Sequence, residues 1–179
     1  MTPVQRVLVY GVTGSGKSTL ARRIAERLGL PCHEVDELTW EPGWVPVPDE
    51  VQRARITAVC AGERWVLDHA YGKWLDVALA RTDLVVGLDL PRWLTLSRLL
   101  RRTVTRIVRR TPTCNGNIET WRASFLRRDS ILVWHFASFA RKRARIRRWQ
   151  SDPDFPAIVV LRSPAEVERW LSSLSPGEP

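Results

Sequence analysis

The run Gly11-Val12-Thr13-Gly14-Ser15-Gly16-Lys17-Ser18 constrains this chain more than any other feature. It satisfies G-x-x-x-x-G-K-[ST] without departure, directly after an apolar, β-branched run (residues 4–10). Directly behind it, Leu20, Ile24 and Leu28 recur at helical spacing. Strand, glycine loop and helix in that order turn successive backbone N–H groups, and the positive end of a helix dipole, toward one point. An anion belongs there. The glycines let phosphate oxygens approach the backbone, Lys17 neutralises β and γ oxygens, and the Ser18 hydroxyl can hold Mg²⁺. Gly11, Thr13, Gly14, Ser15, Gly16, Lys17, Ser18 and Thr19 are therefore read as a nucleotide-phosphate site, with ATP and Mg²⁺ as the expected cofactors.

The remaining pattern alternates strands with helices. Short apolar runs at 32–35, 65–67, 84–90 and 157–161 read as strands. Helical periodicity covers 49–61, 74–80, 91–110, a long stretch after residue 117, and 164–174. Residues 38–48 (LTWEPGWVPVP) carry too many breakers to be regular. Strands that are apolar on both faces imply a parallel sheet covered on two sides, whose ligands sit at the carboxyl ends of the strands. The expected fold is a three-layer α/β sandwich around a five-stranded parallel sheet. It forms one domain over 1–175, with 176–179 as a tail.

Carboxylates at strand ends are the natural complement to a phosphate loop. Asp68, after WVL, is the expected metal-side carboxylate beside Ser18. Asp36, at the end of the neighbouring strand, is placed to orient an acceptor hydroxyl, with Glu37 a weaker candidate. Asp89 also follows an apolar strand, but the adjoining Pro91 suggests a strand-to-helix cap, which ranks it below Asp68.

The 179 residues carry a net +9, distributed unevenly. From Arg92 to Arg148 there are 16 basic and 2 acidic residues, a local +14, while the rest of the chain is net −5. Of the 28 basic residues 25 are arginine, the side chain suited to forked contacts with phosphate. Arg98, Arg102, Arg106 and Arg109 recur at spacings that share one helix face, opposite Leu96, Leu100, Val104 and Ile107. Arg127 and Arg128 stand beyond the following loop, where they can close over a nucleotide. Trp121, Phe125, Leu132, Phe136 and Phe139 read as one apolar face of the next helix. The run RKRARIRR at 141–148 resembles a polyanion patch, yet it lacks the interleaved aromatics that stack bases. A solvated helix end is the plainer reading.

Several classes are excluded. With 44% apolar residues and nine tryptophans the chain can build a core. No apolar run approaches the roughly 20 residues needed to cross a bilayer, and the first eight residues read as a strand rather than a leader. Three cysteines, Cys32, Cys60 and Cys114, without close pairing point to a reducing, cytoplasmic setting and away from disulfides or zinc.

Taken together, GVTGSGKST, VDELTWEPGW, WVLDHAYG, LVVGLDLPRWLTLSRLLRR, ILVWHF and VVLRSPAEVERWL resemble the adenylate kinase-related P-loop proteins called topology modulation proteins, over almost the whole chain. The resemblance implies a nucleoside monophosphate kinase-like fold and an ATP-Mg²⁺ site. It also implies an acceptor-covering segment (about 38–62) and a lid (about 111–120). In adenylate kinases a D-x-P phrase leads into a helix bearing two nucleotide-facing arginines four apart. Asp89-Leu90-Pro91 followed by Arg98 and Arg102 matches that spacing. Where such kinases have L-D-G, this chain has Leu67-Asp68-His69, and residues 39–49 depart from the usual monophosphate-binding helices, so AMP does not carry over as acceptor. His69 and Tyr71 are placed either to contact the acceptor or to pack.

The expected activity is transfer of the ATP γ-phosphate to a small acceptor, with Lys17, Asp36, Arg98 and Arg102 catalytic and Ser18 and Asp68 at the metal. The rival is a nucleotide-dependent regulatory or nucleic-acid-binding protein whose basic segment meets a polyanion. No membrane partner is expected, and the oligomeric state is left open.

Overall fold

A computed structural model describes residues 4–126 and 130–174. Five strands form one parallel sheet: β1 (Arg6–Gly11), β2 (Cys32–His33), β5 (Trp65–Leu67), β6 (Leu84–Leu88) and β7 (Ala157–Leu161), in the order β2-β5-β1-β6-β7. The sheet is parallel throughout because a helical crossover separates successive strands. The glycine loop leaves the central strand β1, so the strands on both sides deliver side chains to its mouth.

Helix α1 (Lys17–Leu28) buries Leu20, Ala21 and Ile24 against Val7, Val9, Val66 and Val86 on one sheet face, joined by Leu171 of α7 (Pro164–Ser173). The other face carries Leu8, Tyr10, Trp65, Leu67 and Val85. It is covered by α3 (Asp49–Ala61), α4 (Leu75–Leu79) and Ile146 and Trp149 of α6 (Ile131–Ser151). Alternate β1 residues thus face opposite layers, as a strand requires. Close packing reaches the backbone at Gly87, where a Cβ would lie 3.0 Å from the Ile146 side chain.

Three details differ from the sequence reading. First, the second strand stops at His33 instead of Val35. The Val35 N–H donates to the Asp68 carboxylate at 2.9 Å, which diverts the chain into α2 (Val35–Thr39), so Asp36 and Glu37 sit in a helix's first turn. The breaker-rich stretch beyond is ordered as well. Trp40–Glu41 (β3) and Val45–Pro46 (β4) form a small hairpin, reversed through positive φ at Gly43 and Trp44.

Second, α5 (Arg92–Arg109) buries Thr95, Leu99, Thr103 and Ile107, not Leu96, Leu100 and Val104. The reason is the phosphate loop: a Cβ on Gly14 would lie 2.2 Å from the Thr95 carbonyl oxygen and 3.0 Å from Leu99 Cβ. This approach rotates the helix so that Arg98, Arg102 and Arg106 each immediately precede a buried position.

Third, the expected aromatic face of the last long helix is absent. Helix α6 starts at Ile131, and Arg122–Leu126 form a separate π-type turn. Its buried stripe is His135, Ser138, Phe139, Lys142, Ile146 and Trp149, while Trp121 and Phe136 are exposed. Arg127, Arg128 and the tail 176–179 lie outside the described residues. Among the described residues no helix is long and apolar enough to cross a membrane.

Candidate active site

The loop from Gly11 to Ser18 has the backbone its composition calls for. Gly14 and Gly16 adopt φ of +82° and +93°, which only glycine enters without strain. Ser15 is buried, and its hydroxyl has no partner among the described residues. Lys17, in the first turn of α1, donates from Nζ to the Val12 carbonyl at 3.0 Å. Its surroundings lower its pKa to about 8, with burial the chief cause and Asp68 and Asp36 pulling it back up. An ammonium held against the glycine loop, its charge disfavoured by burial, suits an anion such as a polyphosphate.

Ser18 and Asp68, the residues expected at the metal, are joined directly. Ser18 Oγ donates to Asp68 Oδ2 at 2.5 Å, and Asp68 Oδ1 accepts from the Val35 N–H. Burial raises the Asp68 pKa, and the hydrogen bonds from Ser18 and Val35 oppose it. Among the described residues no three His, Cys, Asp or Glu side chains cluster. A hydroxyl and one carboxylate suit Mg²⁺, which keeps waters and takes phosphate oxygens as its other ligands.

Around this pair the structure gathers the remaining expected residues. Asp36 is exposed at the rim, its carboxylate accepting from the Tyr71 hydroxyl at 2.9 Å. Burial, and then Asp36, push the Tyr71 hydroxyl's pKa far up, which keeps it a donor. Arg98 lies over the loop: a Cβ on Gly16 would come 3.8 Å from its Nη1. Arg102 keeps solvent access. The protein packed around it and Arg106 lower its pKa, while Glu119 and Asp36 oppose the shift. Arg106 is engaged elsewhere, in an ion pair with Glu119 at 2.9 Å.

Helix α6 contributes what sequence reasoning missed. His135, fully buried, places Nδ1 3.1 Å from the Thr13 carbonyl, so the imidazole N–H supports the loop from behind. Lys142, also buried, lies 3.5 Å from the Gly11 carbonyl. Asp89, 2% exposed, is paired with Arg143 and Arg147, and Arg145 donates to the Tyr10 hydroxyl at 3.1 Å. Asp89 is thus a structural counter-ion and not the expected helix cap, since the N-cap of α5, Pro91, has no side-chain hydrogen bond.

The loop between α5 and α6 is tied to the segment after β2. Cys114 Sγ donates to the Asp36 carbonyl at 2.9 Å, and Asn115 Nδ2 to the carbonyls of Glu37 and Trp40. Asn117 Nδ2 donates to the Glu41 carbonyl, and its Oδ1 accepts from the Trp44 N–H at 2.8 Å. The Trp44 indole reaches the Ile118 carbonyl. Asn115 takes positive φ, and Asn117 is 3% exposed, buried by these contacts.

The architecture is that of the P-loop kinases. A gluconokinase structure from Sinorhizobium meliloti 1021 superimposes with a TM-score of 0.54 at 19% identity, over 97% of both chains. No protein-family model matches the chain. In sequence it is 25% identical over 163 residues to the uncharacterized protein YqaC of Bacillus subtilis (strain 168), covering 87% of this chain and 88% of that one. It is 30% identical over 113 residues to a shikimate kinase of Oleidesulfovibrio alaskensis, covering 54% of this chain and 65% of that one.

Proposed function

We propose that the protein is a small-molecule kinase that transfers the γ-phosphate of ATP-Mg²⁺ to a hydroxylated acceptor. The observation that carries this reading is the Ser18–Asp68 hydrogen bond beside Lys17, at the carboxyl ends of parallel strands and beneath Arg98 and Arg102. Likeness to a gluconokinase fold and to a shikimate kinase sequence supports it.

In this reading the loop amides, Ser15, Thr19 and Lys17 hold the phosphates, and Ser18 and Asp68 hold the metal. Mg²⁺ supplies charge neutralisation on the β and γ oxygens. Arg98 and Arg102 stabilise charge on the transferring group, and their position on a packed helix fixes them before reaction. Asp36, held by Tyr71, orients the acceptor hydroxyl and accepts its proton. The domain spans 1–175, with 38–62 covering the acceptor and 111–120 acting as lid. The six hydrogen bonds joining loop and segment support a closed arrangement that keeps water from the phosphoryl group. Its motifs GVTGSGKST and VDELTWEPGW resemble those of the topology modulation proteins, and membership of that family is part of this reading.

Against the nucleic-acid reading, Arg143, Arg145 and Arg147 of the basic run are engaged with Asp89 and Tyr10. The test is an acceptor screen with ATP-Mg²⁺ that covers nucleosides, their monophosphates, sugars, sugar acids and shikimate, read as ADP release. Stimulation by one acceptor class that vanishes in Lys17→Ala supports the kinase. If no acceptor stimulates and DNA or RNA binds tightly at physiological salt, the kinase reading is wrong.

A further inference from the structure

The chain has only three lysines, Lys17, Lys73 and Lys142. Lys73 is exposed and pairs with Asp49 at 2.5 Å. The other two meet at the glycine loop from opposite sides. Lys17 rises from α1, and Lys142 comes from α6 across the opposite sheet face to the end of β1, where Nζ lies 3.5 Å from the Gly11 carbonyl and 5.9 Å from the Tyr10 ring centroid. Lys142 is 6% exposed, and among the described residues no carboxylate lies within 4 Å of it. One long hydrogen bond leaves most of the ammonium's three donors without a partner. Its neighbours Arg143, Arg145 and Arg147, by contrast, all have partners.

A buried cation without a counter-ion is costly, and a kinase-like site offers a remedy that only exists when substrates are bound. On the same side, His69 is 8% exposed with Nδ1 unpartnered, stacked on Tyr10 and edge-on to Tyr71. Both unpartnered groups therefore lie toward β5 and Asp36, the acceptor side of the loop.

We propose that Lys142 is a binding residue for an oxyanion, phosphoryl or carboxylate, on the acceptor side of the glycine loop. The inference rests on the reading that nucleotide phosphates occupy the loop. The groups facing Lys142 are Lys17 from α1, Asp36 from α2, Tyr10 from β1, His69 after β5, and Arg141 and Arg145 on α6 itself. Burial, then Lys17 and Arg141, lower the Lys142 pKa to about 6, with Asp36 opposing. The empty site is thus spared a second charge beside Lys17, and the bound site gains one. Arginine, the cation this chain otherwise uses almost everywhere, cannot switch in this way.

The test is calorimetric titration of the full chain at pH 7.5 in two buffers of different ionisation enthalpy, for wild type, Lys142→Met and Lys142→Arg. The probes are Mg-ADP, the Mg complex of the β,γ-imido analogue of ATP, and inorganic phosphate or gluconate added to the Mg-ADP complex. If the anion is the γ-phosphoryl group, uptake of about one proton accompanies the analogue and not ADP. If it belongs to the acceptor, uptake appears with phosphate or gluconate. In either case Lys142→Met removes the uptake and weakens that anion by roughly 10–100-fold. Lys142→Arg removes the uptake while retaining affinity, which a merely structural lysine would not do. Nucleotide binding with the same uptake and affinity in wild type and both variants overturns the inference and leaves the kinase reading intact. Failure of wild type to bind any nucleotide overturns both.

Discussion

Replacing Gly14 by alanine places a methyl group 2.2 Å from the Thr95 carbonyl oxygen and 3.0 Å from Leu99 Cβ. The first of these is backbone inside α5 and cannot rotate away. To restore an ordinary contact of about 3.5 Å, the helix or the loop must retreat by more than ~1 Å. The substitution also forces a non-glycine residue to φ +82°, at a cost of about 1–2 kcal/mol. Overpacking of a close-packed contact adds about 1–3 kcal/mol, so the total loss is roughly 2–5 kcal/mol. Gly16→Ala separates the two effects. It has the same backbone problem, at φ +93°, but its nearest neighbour is an Arg98 nitrogen at 3.8 Å, so only the ~1–2 kcal/mol conformational cost applies. Gly72→Ala, with nothing within 4 Å, is expected to change stability by no more than about 0.5 kcal/mol. Urea unfolding of the three variants, followed by tryptophan fluorescence and extrapolated linearly, measures all of these quantities. Equal losses for Gly14→Ala and Gly16→Ala would refute the packing of α5 against the loop, and with it the placement of Arg98 and Arg102.

Other consequences are open to direct measurement. Asp89→Ala leaves Arg143 and Arg147 without their counter-ion, and because both arginines retain solvent access the expected loss is about 1–3 kcal/mol, with Mg-ATP affinity unchanged within about threefold. Asp68→Asn should show the reverse pattern, with little change in urea stability and no Mg²⁺ enhancement of ATP binding. Lys17 and Lys142 hold fewer protons folded, with pKa values of about 8 and about 6, than at the ordinary 10.5. Stability should therefore rise from pH 6 to 8.5, with a steeper slope in wild type than in Lys142→Met; equal slopes would remove Lys142 from the account. Cys114 sits under the Asn115 and Asn117 contacts, and burial followed by Asp36 raises its pKa to about 12. Asn117→Ala should speed maleimide labelling at Cys114, read by peptide mass spectrometry, and raise ATP hydrolysis relative to transfer. Unchanged labelling would mean that the loop opens independently of residues 36–44.

The sheet and the phosphate loop were legible because their signals are local: a motif of eight residues, β-branched runs, and helical periodicity beside them. The arginine pair was legible in part. The spacing put Arg98 and Arg102 on the helix that meets the loop, but the apolar count chose Leu96 and Leu100 over the buried Thr95 and Thr103. Threonine hydroxyls can be satisfied within their own helix, as Thr95 Oγ1 is by the Arg92 carbonyl at 3.0 Å, so a polar residue could face the loop. The contributions of α6 were hidden for a different reason. His135 and Lys142 meet loop carbonyls 122 and 131 positions away, and no periodicity encodes so distant a contact. A sequence signal did exist. Lys142 interrupts a run of arginines at helical spacing from His135, Phe139, Ile146 and Trp149, and it marks the buried stripe that the aromatic count assigned elsewhere. Of the +14 segment, which suggested a polyanion, Arg98 lies over the loop, Arg143 and Arg147 pair with Asp89, and Lys142 is buried behind the loop.

In the proposed function the γ-phosphoryl group passes to an acceptor held near Asp36. Its most direct test follows ATP labelled in the γ-phosphate, with Mg²⁺ and the best acceptor from the screen, and measures how the label divides between acceptor and inorganic phosphate. Label is expected predominantly in the acceptor for wild type, with none transferred in Lys17→Ala, and transfer lowered by roughly 10²–10⁴-fold with nucleotide affinity retained in Asp36→Asn. Label released only as inorganic phosphate whatever acceptor is present, or transfer undiminished in Asp36→Asn, would contradict it.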